Sequence, residues 1–517
     1  MNGIRNENND DEVVGLAASV RDQPGKPAFV EGERVTTYGE FGDRAGRLAR
    51  VLAALGAGSG DRVAIMLPNS TAFFETWAAA AELHASVVLV NWHLKRDELA
   101  YILDDSGAKV LVAHASLREV YEAATASSGC ALMVVGGEPD EYERAIAAVP
   151  AGDVVPVRSA VLASPVFYTS GTTGRPKGVI HGTFDAGRAR LAQQGQIALW
   201  GWQPDDVYIL SGPAYHAGPG GYVMSALFVG ATSVVLPTWD AREWLRLVQR
   251  HHVTISFMTP AHFIRILEVP EAERRDFDLS SLRLIVHGGA PCPVPVKHRI
   301  LDALAPAQIW ELYGASEGGA TRISPDEWRA RPGSVGVPWP GTEVRVLDDD
   351  GAARAAGEPG LVYIRPAGGA RFHYHDDDAK TSQAWRDDAF TVGDIGYLDA
   401  DGYLFLTDRA SDMVLRGGVN IYPREIEEVL YTHPAVVDCA VFGVPDERYG
   451  EALHAVVELR APVDTDALRS HVQAALADYK VPNVFEVVDE LPRNPNGKVM
   501  KRLLRERAWA GQERNIG

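Results

Sequence analysis

Cysteine is nearly absent: three residues, Cys130, Cys292 and Cys439, in a chain of 517. Their spacing fits neither a disulfide framework nor a metal site, which suits a reducing compartment. Positive charge is also short, with 50 Lys and Arg against 69 Asp and Glu and a formal net charge of −19. That balance disfavours nucleic acid or an anionic membrane as a general partner, so any polyanion must be held by local donors and not by the field of the whole protein. No apolar run is long enough to span a bilayer, because the richest stretch, 78–90, is broken by Glu82 and His84. The first twelve residues are polar and acidic, so no secretory signal is expected and a cytoplasmic location is. There is no fixed-period repeat and no low-complexity tract.

What is present is a globular composition, 46% hydrophobic and 23% charged, in a chain too long for one hydrophobic core. Thr37-Tyr-Gly-Glu40 has capping-box spacing, and Phe41, Ala45, Leu48, Leu52 and Leu55 follow at helical intervals. Helix and strand then alternate: strands over 62–67, 85–90 and 109–113, helices over 70–81 and 96–105. The rhythm returns with strands over 207–210, 231–236, 254–258 and 282–286 and a helix over 239–251. Such alternation predicts parallel βαβ units in layered sheets. Beyond Pro332 short strands with Gly and Asp turns predict a β-rich subdomain, and the last hundred residues carry a compact α/β pattern.

The segment 168–178 reads Tyr-Thr-Ser-Gly-Thr-Thr-Gly-Arg-Pro-Lys-Gly, with seven of eleven positions glycine or a small hydroxyl residue. Such residues let a backbone approach a polyphosphate closely and supply N–H and hydroxyl donors. A Walker loop is excluded, because that pattern needs Gly-Lys followed by Ser or Thr, whereas Pro176 precedes Lys177 and Gly178 follows it. An ordinary Gly/Ser/Thr turn is the plain alternative. Seven further motifs follow in order: 213–218 (Pro-Ala-Tyr-His-Ala-Gly), 287–291 (His-Gly-Gly-Ala-Pro), 313–317 (Tyr-Gly-Ala-Ser-Glu), Gly393-Asp394, Asp408-Arg409, 416–427 beginning Arg-Gly-Gly-Val-Asn, and 492–498 (Pro-Arg-Asn-Pro-Asn-Gly-Lys).

With the phosphate loop, these motifs resemble the adenylate-forming (ANL) superfamily of acyl-CoA synthetases, adenylation domains and luciferases over nearly the whole chain. The resemblance implies a large N-terminal domain, 1–408, a hinge at 409–412 and a small mobile α/β C-terminal domain, 413–517. It implies ATP, Mg²⁺ and, as co-substrate, CoA. Thr169, Ser170, Gly171, Thr172, Thr173, Gly174 and Lys177 would hold phosphates, and Glu317 with Thr172 would hold Mg²⁺. Gly288, Gly289, Ala290, Tyr313, Gly314 and Ser316 would take the adenine side, and Asp394 with Arg409 the ribose. Lys498 resembles the catalytic lysine, His216 the gate between carboxylate and thiol tunnel, and Gly417 and Gly418 the glycines lining that tunnel.

Two positions depart from the family pattern. Ser316 replaces the usual threonine, which keeps a hydroxyl, and Ser411 stands at the hinge where Asp or Lys is usual. The resemblance implies an AMP-forming carboxylate-CoA ligase that releases pyrophosphate. The glycine-rich segment 217–221, with Tyr222 and Phe257 as walls, is expected to leave room for a bulky group, and so for a ring-bearing, branched or medium-chain acid. The alternative is an acyl-adenylate synthetase that delivers to a carrier protein or an amine. Relatives of this kind are often monomers or homodimers.

Overall fold

The capping box forms: Glu40 N–H donates to the Thr37 hydroxyl at 3.3 Å, and Thr37 N–H donates to the Glu40 carboxylate at 2.8 Å. It opens helix Tyr38–Ala54, where Phe41, Ala45, Leu48 and Leu52 are buried along one face. The computed structural model describes residues 15–150, 157–169, 176–182, 186–409, 412–416, 419–446, 448–495 and 497–508, the side chains of Ser127, Thr169, Ala186 and Arg188 excepted. The chain divides into two compact units, Met1–Phe257 with Phe372–Asp377, and Met258–Arg371 with Asp378–Gly517.

In the first unit, strands Ala131–Val135, Val110–His114, Arg62–Met66, Ser86–Leu89 and Pro165–Thr169 lie side by side and parallel, in that order. Helices Thr71–Glu82, Arg96–Ser106 and Arg118–Ser128 make crossovers, as parallel pairing requires. Ser70 starts the first of them by accepting from Phe73 N–H at 3.3 Å. Antiparallel strands Lys177–Ile180 and His373–Tyr374 complete this sheet beyond Pro165–Thr169. Elsewhere in the unit Pro27–Glu31, Thr232–Val235 and Val207–Leu210 are parallel, and Ile255 continues the order by pairing with Tyr208. The hairpin of Pro27–Glu31 with Arg34–Thr37 was not anticipated from the sequence.

In the second unit, Leu284–His287 pairs parallel with Gln308–Ala315. Gly318–Ile323, Ser334–Pro338, Leu404–Arg409, Asp394–Leu398 and Gly360–Arg365 then follow antiparallel. The short strands expected beyond residue 332 are thus present, and they extend the sheet begun by 284–315. A five-stranded sheet of Val414–Arg416, Val419–Ile421, Val436–Asp446, Gly450–Leu459 and Val484–Val488 packs with helices Pro423–Tyr431, Thr465–Ala475 and Lys501–Ala508 around its own apolar clusters. Among the described residues no helix is long and apolar enough to cross a membrane.

Candidate active site

Strands Pro165–Thr169 and Lys177–Ile180 pair antiparallel with Thr169 opposite Lys177, so the phosphate-loop motif is a hairpin whose joining residues Ser170, Gly171, Thr172, Thr173 and Gly174 lie outside the described residues. The flanks are fixed by contacts that sequence reasoning missed. Tyr168 donates to Asp105 Oδ2 at 2.6 Å, Tyr101 donates to Asp105 Oδ1 and to Pro176 O, both at 3.2 Å, and the His375 ring meets Asp105 O at 2.7 Å. Burial, and then Asp105, raise the Tyr168 phenol, which stays a neutral donor. Lys177, expected among the phosphate-holding residues, is ion-paired with Asp377 at 2.9 Å, and that pairing raises its pKa. Two hundred residues separate these partners. The only trace in the sequence was the acidic run 376–378, which on its own looks like a solvated surface turn.

His216 stands at the N-cap of helix Ala217–Val229. Its Nε2 is buried with no hydrogen-bond partner among the described residues, and burial pulls its pKa down to about 4, so the ring is neutral at physiological pH. The glycines of this helix were expected to leave space for a bulky acid. At two of them the space is already taken. A Cβ on Gly218 would lie 2.5 Å from the Phe257 ring, and one on Gly220 would lie 2.2 Å from the Ala214 carbonyl oxygen; only Gly221 faces open space.

In the second unit, Gly288 N–H donates to Met258 O at 3.2 Å, and a Cβ on Gly288 would meet the Leu312 carbonyl oxygen at 2.7 Å. Gly289 has φ +81°, which a side chain would strain, and Ala290 follows it. A buried trio unseen in the sequence secures the strands on either side: Lys297 bonds Glu311 at 3.2 Å and His287 Nε2. Burial, and then Lys297, hold His287 well below its usual pKa, so it accepts while neutral. Tyr313, Gly314 and Ala315 end the strand that carries Glu311, and Ser316-Glu317 is the turn into Gly318–Ile323.

Three of the residues expected on the adenosine side, Tyr313, Asp394 and Arg409, come together. Tyr313 OH donates to Asp394 Oδ2 at 2.7 Å, and Arg409 Nε donates to Asp394 Oδ1 at 3.1 Å, with Asp394 and Arg409 directly opposed on neighbouring strands. Each carboxylate oxygen keeps a further lone pair for an outside donor. Lys498 lies within the field of this group. Burial, and then Arg409, bring its pKa down to about 8, against the opposing pull of Asp412 and Asp394. Its loop is tightly drawn: Lys498 N–H donates to Asn494 Oδ1 at 2.8 Å, and Gly497 holds φ +79°. Three residues on, Lys501 is ion-paired with Glu427 at 2.7 Å, beside Asp408 and Asp412, and these three carboxylates raise its pKa.

Gly417, Gly418 and Ser411 lie outside the described residues. Among the described residues no group of three or more His, Cys, Asp and Glu side chains is disposed to hold a metal ion.

The AMP-binding enzyme family matches residues 16–374, and the AMP-binding enzyme C-terminal domain matches residues 425–498. The fatty acid–[acyl-carrier-protein] ligase ScoC of Streptomyces coeruleorubidus is 33% identical over 509 residues, covering 96% of each chain. A feruloyl-CoA synthase of an Amycolatopsis species is 35% identical over 494 residues, covering 94% of this chain and 97% of its own. The anthranilate CoA ligase AuaEII, solved with anthranoyl-AMP, superimposes with TM-score 0.84 at 28% identity, over 96% of this chain and 97% of its own. The resemblance read from the motifs and the layered α/β fold are both borne out.

Proposed function

The chain belongs to the AMP-binding enzyme family, and from that premise we propose that it is an AMP-forming carboxylate-CoA ligase. The observation that carries the proposal is Lys498, a half-buried cation held in the field of Asp394 and Arg409, the pair that the family pattern gives to ribose. Adenylation brings a carboxylate to the α-phosphate, so repulsion and developing charge must both be offset at the reacting centre. Lys498 donates there as a cation. Asp394 takes ribose hydroxyls while Tyr313 and Arg409 hold its carboxylate in place. Thr169 to Gly174 and Lys177 take the β- and γ-phosphates, Lys177 exchanging Asp377 for phosphate. Gly288, Gly289, Ala290, Gly314 and Ser316 border the adenine. Mg²⁺, bound through Glu317 and Thr172, neutralises phosphate charge.

The second half-reaction passes the acyl group to the thiol of CoA. We assign His216, neutral and unpartnered, to the acid side of the thiol path, and Gly417 and Gly418 to its wall. In this reading residues 1–408 form the adenylating part, 409–412 the hinge with Ser411 as pivot, and 413–517 a mobile cap. The acid is ring-bearing, branched or of medium chain, and the protein works in the cytoplasm. The 33% identity to ScoC, an acyl-carrier-protein ligase, favours one second reading: the same adenylate delivered to a carrier-protein thiol.

The test is pyrophosphate release with a panel of acids, followed by AMP and acyl-CoA formation on adding CoA with no carrier present. Acid-dependent pyrophosphate release with CoA-dependent AMP release is expected. Pyrophosphate release that CoA does not advance, but a carrier protein does, favours the second reading; no release with any acid removes both.

A further inference from the structure

A cavity of about 440 Å³ lies in the second unit, lined by helix Pro260–Glu268, helix Val294–Ala303, the segment 431–437 and Arg460. Its side chains are lopsided in charge. Arg299 and Arg460 both line it, and Glu268 is the one carboxylate among the lining residues. Glu268 is already ion-paired, with Arg265 at 3.0 Å. Arg299 has neither a hydrogen bond nor an ion pair among the described residues, while Arg460 gives one guanidinium nitrogen to Val436 O at 3.2 Å and keeps the others.

A third arginine adds to the imbalance. Arg274, on the short helix Glu271–Arg274, has Nε and Nη1 buried with no partner among the described residues. Burial, and then Arg460 and Arg274, lower the Arg299 pKa. Guanidinium does not give up its proton in a protein, so the three remain charged and repel one another. Cations gathered in this way, partly desolvated and without carboxylates to match, are costly unless an anion joins them.

His433 supplies a donor of another kind. Its Nδ1 accepts from Ala435 N–H at 3.2 Å, and burial, and then His471, lower its pKa, so the neutral ring carries its proton on Nε2. Tyr431, also at the cavity, spends its hydroxyl on Asp438. The side-chain groups left open here therefore donate, which fits a ligand that accepts at every oxygen. Planar guanidinium forks match phosphate oxygens in pairs, and the charge of the dianion offsets theirs.

We propose that this cavity is a binding site for a phosphate dianion, free or as the monoester of a small metabolite, gripped by Arg299 and Arg460 with His433 Nε2–H as a further donor. The site shares no residue with the phosphate-loop hairpin, and the proposal does not depend on the ligase reading.

The experiment follows thermal melting of the full chain in roughly 10 mM inorganic phosphate or glycerol 3-phosphate, against chloride of equal ionic strength, at about pH 7.5 where phosphate is mostly dianionic. Wild type, Arg299→Gln, Arg460→Gln and Lys177→Ala are compared. Wild type should melt about 2 °C or more higher in at least one phosphate than in chloride, the shift expected of a ligand present at several times its Kd. That shift should be lost in Arg299→Gln, cut by about half or more in Arg460→Gln, and kept in Lys177→Ala. Phosphate also strengthens folded proteins generally, but that effect is common to all four proteins and cancels in the comparison. A larger shift with glycerol 3-phosphate assigns the occupant to organic monoesters, a larger one with inorganic phosphate to the free ion, and either supports the site. No shift in wild type, or a full shift in Arg299→Gln or in Arg460→Gln, overturns it. A shift lost in Lys177→Ala but retained in Arg299→Gln moves the anion to the phosphate loop and overturns it as well. Arg460→Gln decides alone where Arg299→Gln does not fold.

Discussion

Tyr313 and Asp394, 81 residues apart, are joined by a 2.7 Å hydrogen bond in which the buried phenol donates to a buried carboxylate. The ring and the hydroxyl of Tyr313 therefore have separate duties: the ring is free to lie against a base, while the hydroxyl fixes the group assigned to ribose. Tyr313→Phe keeps the first and removes the second. We expect KM for ATP to rise roughly five- to twentyfold, on the order of 1–2 kcal/mol for one bond to a charged acceptor, with a smaller change in kcat. Steady-state pyrophosphate release at varied ATP checks this, and an unchanged KM would show that Asp394 keeps its orientation through Arg409 alone.

The depressed pKa of Lys498 gives adenylation a pH signature. The useful form is the cation, which is complete below its pKa of about 8 and is lost as pH rises through that value. The kcat/KM for pyrophosphate release should accordingly be level near pH 7 and fall above about pH 8. Lys498→Ala should lower the rate by about a hundredfold or more, roughly 3 kcal/mol, while acyl transfer from supplied adenylate survives. Lys498→Arg should be slower than wild type yet show no fall at the same place, because guanidinium keeps its proton. A wild-type profile that stays level to pH 10 would detach the rate from this group.

How much of this was legible beforehand depended on distance along the chain. Thr37 and Glu40 sit three residues apart, so their cap was visible, and strands 207–210 and 62–66 were visible as short apolar runs between helices. Helix Ala217–Val229 was not, because Gly218, Pro219, Gly220 and Gly221 are poor helix formers. Tertiary contact overrides the poor propensity there, with Phe257 and the Ala214 carbonyl occupying the places of two side chains. The site residues were found through motif order, which carries identity but not partners. Asp377 for Lys177, and Lys297 with Glu311 for His287, are pairings set by sheet register and burial that no local pattern encodes.

Asp377 is one such partner, and its removal separates structure from substrate binding. The Lys177–Asp377 pair is about one-quarter exposed on each side, so screening leaves it a modest stabiliser, under about 1 kcal/mol. Asp377→Asn should therefore shift the melting temperature little. It should also lower KM for ATP about two- to fivefold, because Lys177 no longer has to leave a carboxylate to meet a phosphate. A raised KM would mean that Asp377 holds the lysine in its working position instead of competing for it.

Gly497 tests how tightly the Lys498 loop must be drawn. Its φ of +79° disfavours any side chain, and a Cβ there would lie 2.5 Å from the Ala261 Cβ. Gly497→Ala should displace the loop at a cost of about 1–2 kcal/mol from the backbone alone. Adenylation should fall tenfold or more, while thioester formation from supplied acyl-adenylate continues. Equal loss of both half-reactions would point to unfolding of the loop's surroundings.

The last prediction contrasts two glycines one turn apart on the same helix. A methyl at Gly218 meets the Phe257 ring at 2.5 Å, and Phe257 in turn packs at 5.2 Å from Tyr222, so the ring cannot yield without moving its neighbour. Overpacking of that kind costs about 1–3 kcal/mol. A methyl at Gly221 meets nothing within 4 Å and replaces the poorest non-proline helix former by the best, a gain of up to about 1 kcal/mol. Gly218→Ala should thus lower the melting temperature and Gly221→Ala should hold or raise it. If the open space beside Gly221 receives the acid, the second variant should also raise KM for bulky aryl acids more than for short ones. Measuring melting and acid KM for both variants separates packing from substrate space, and a destabilised Gly221→Ala would show that this face of the helix is closed.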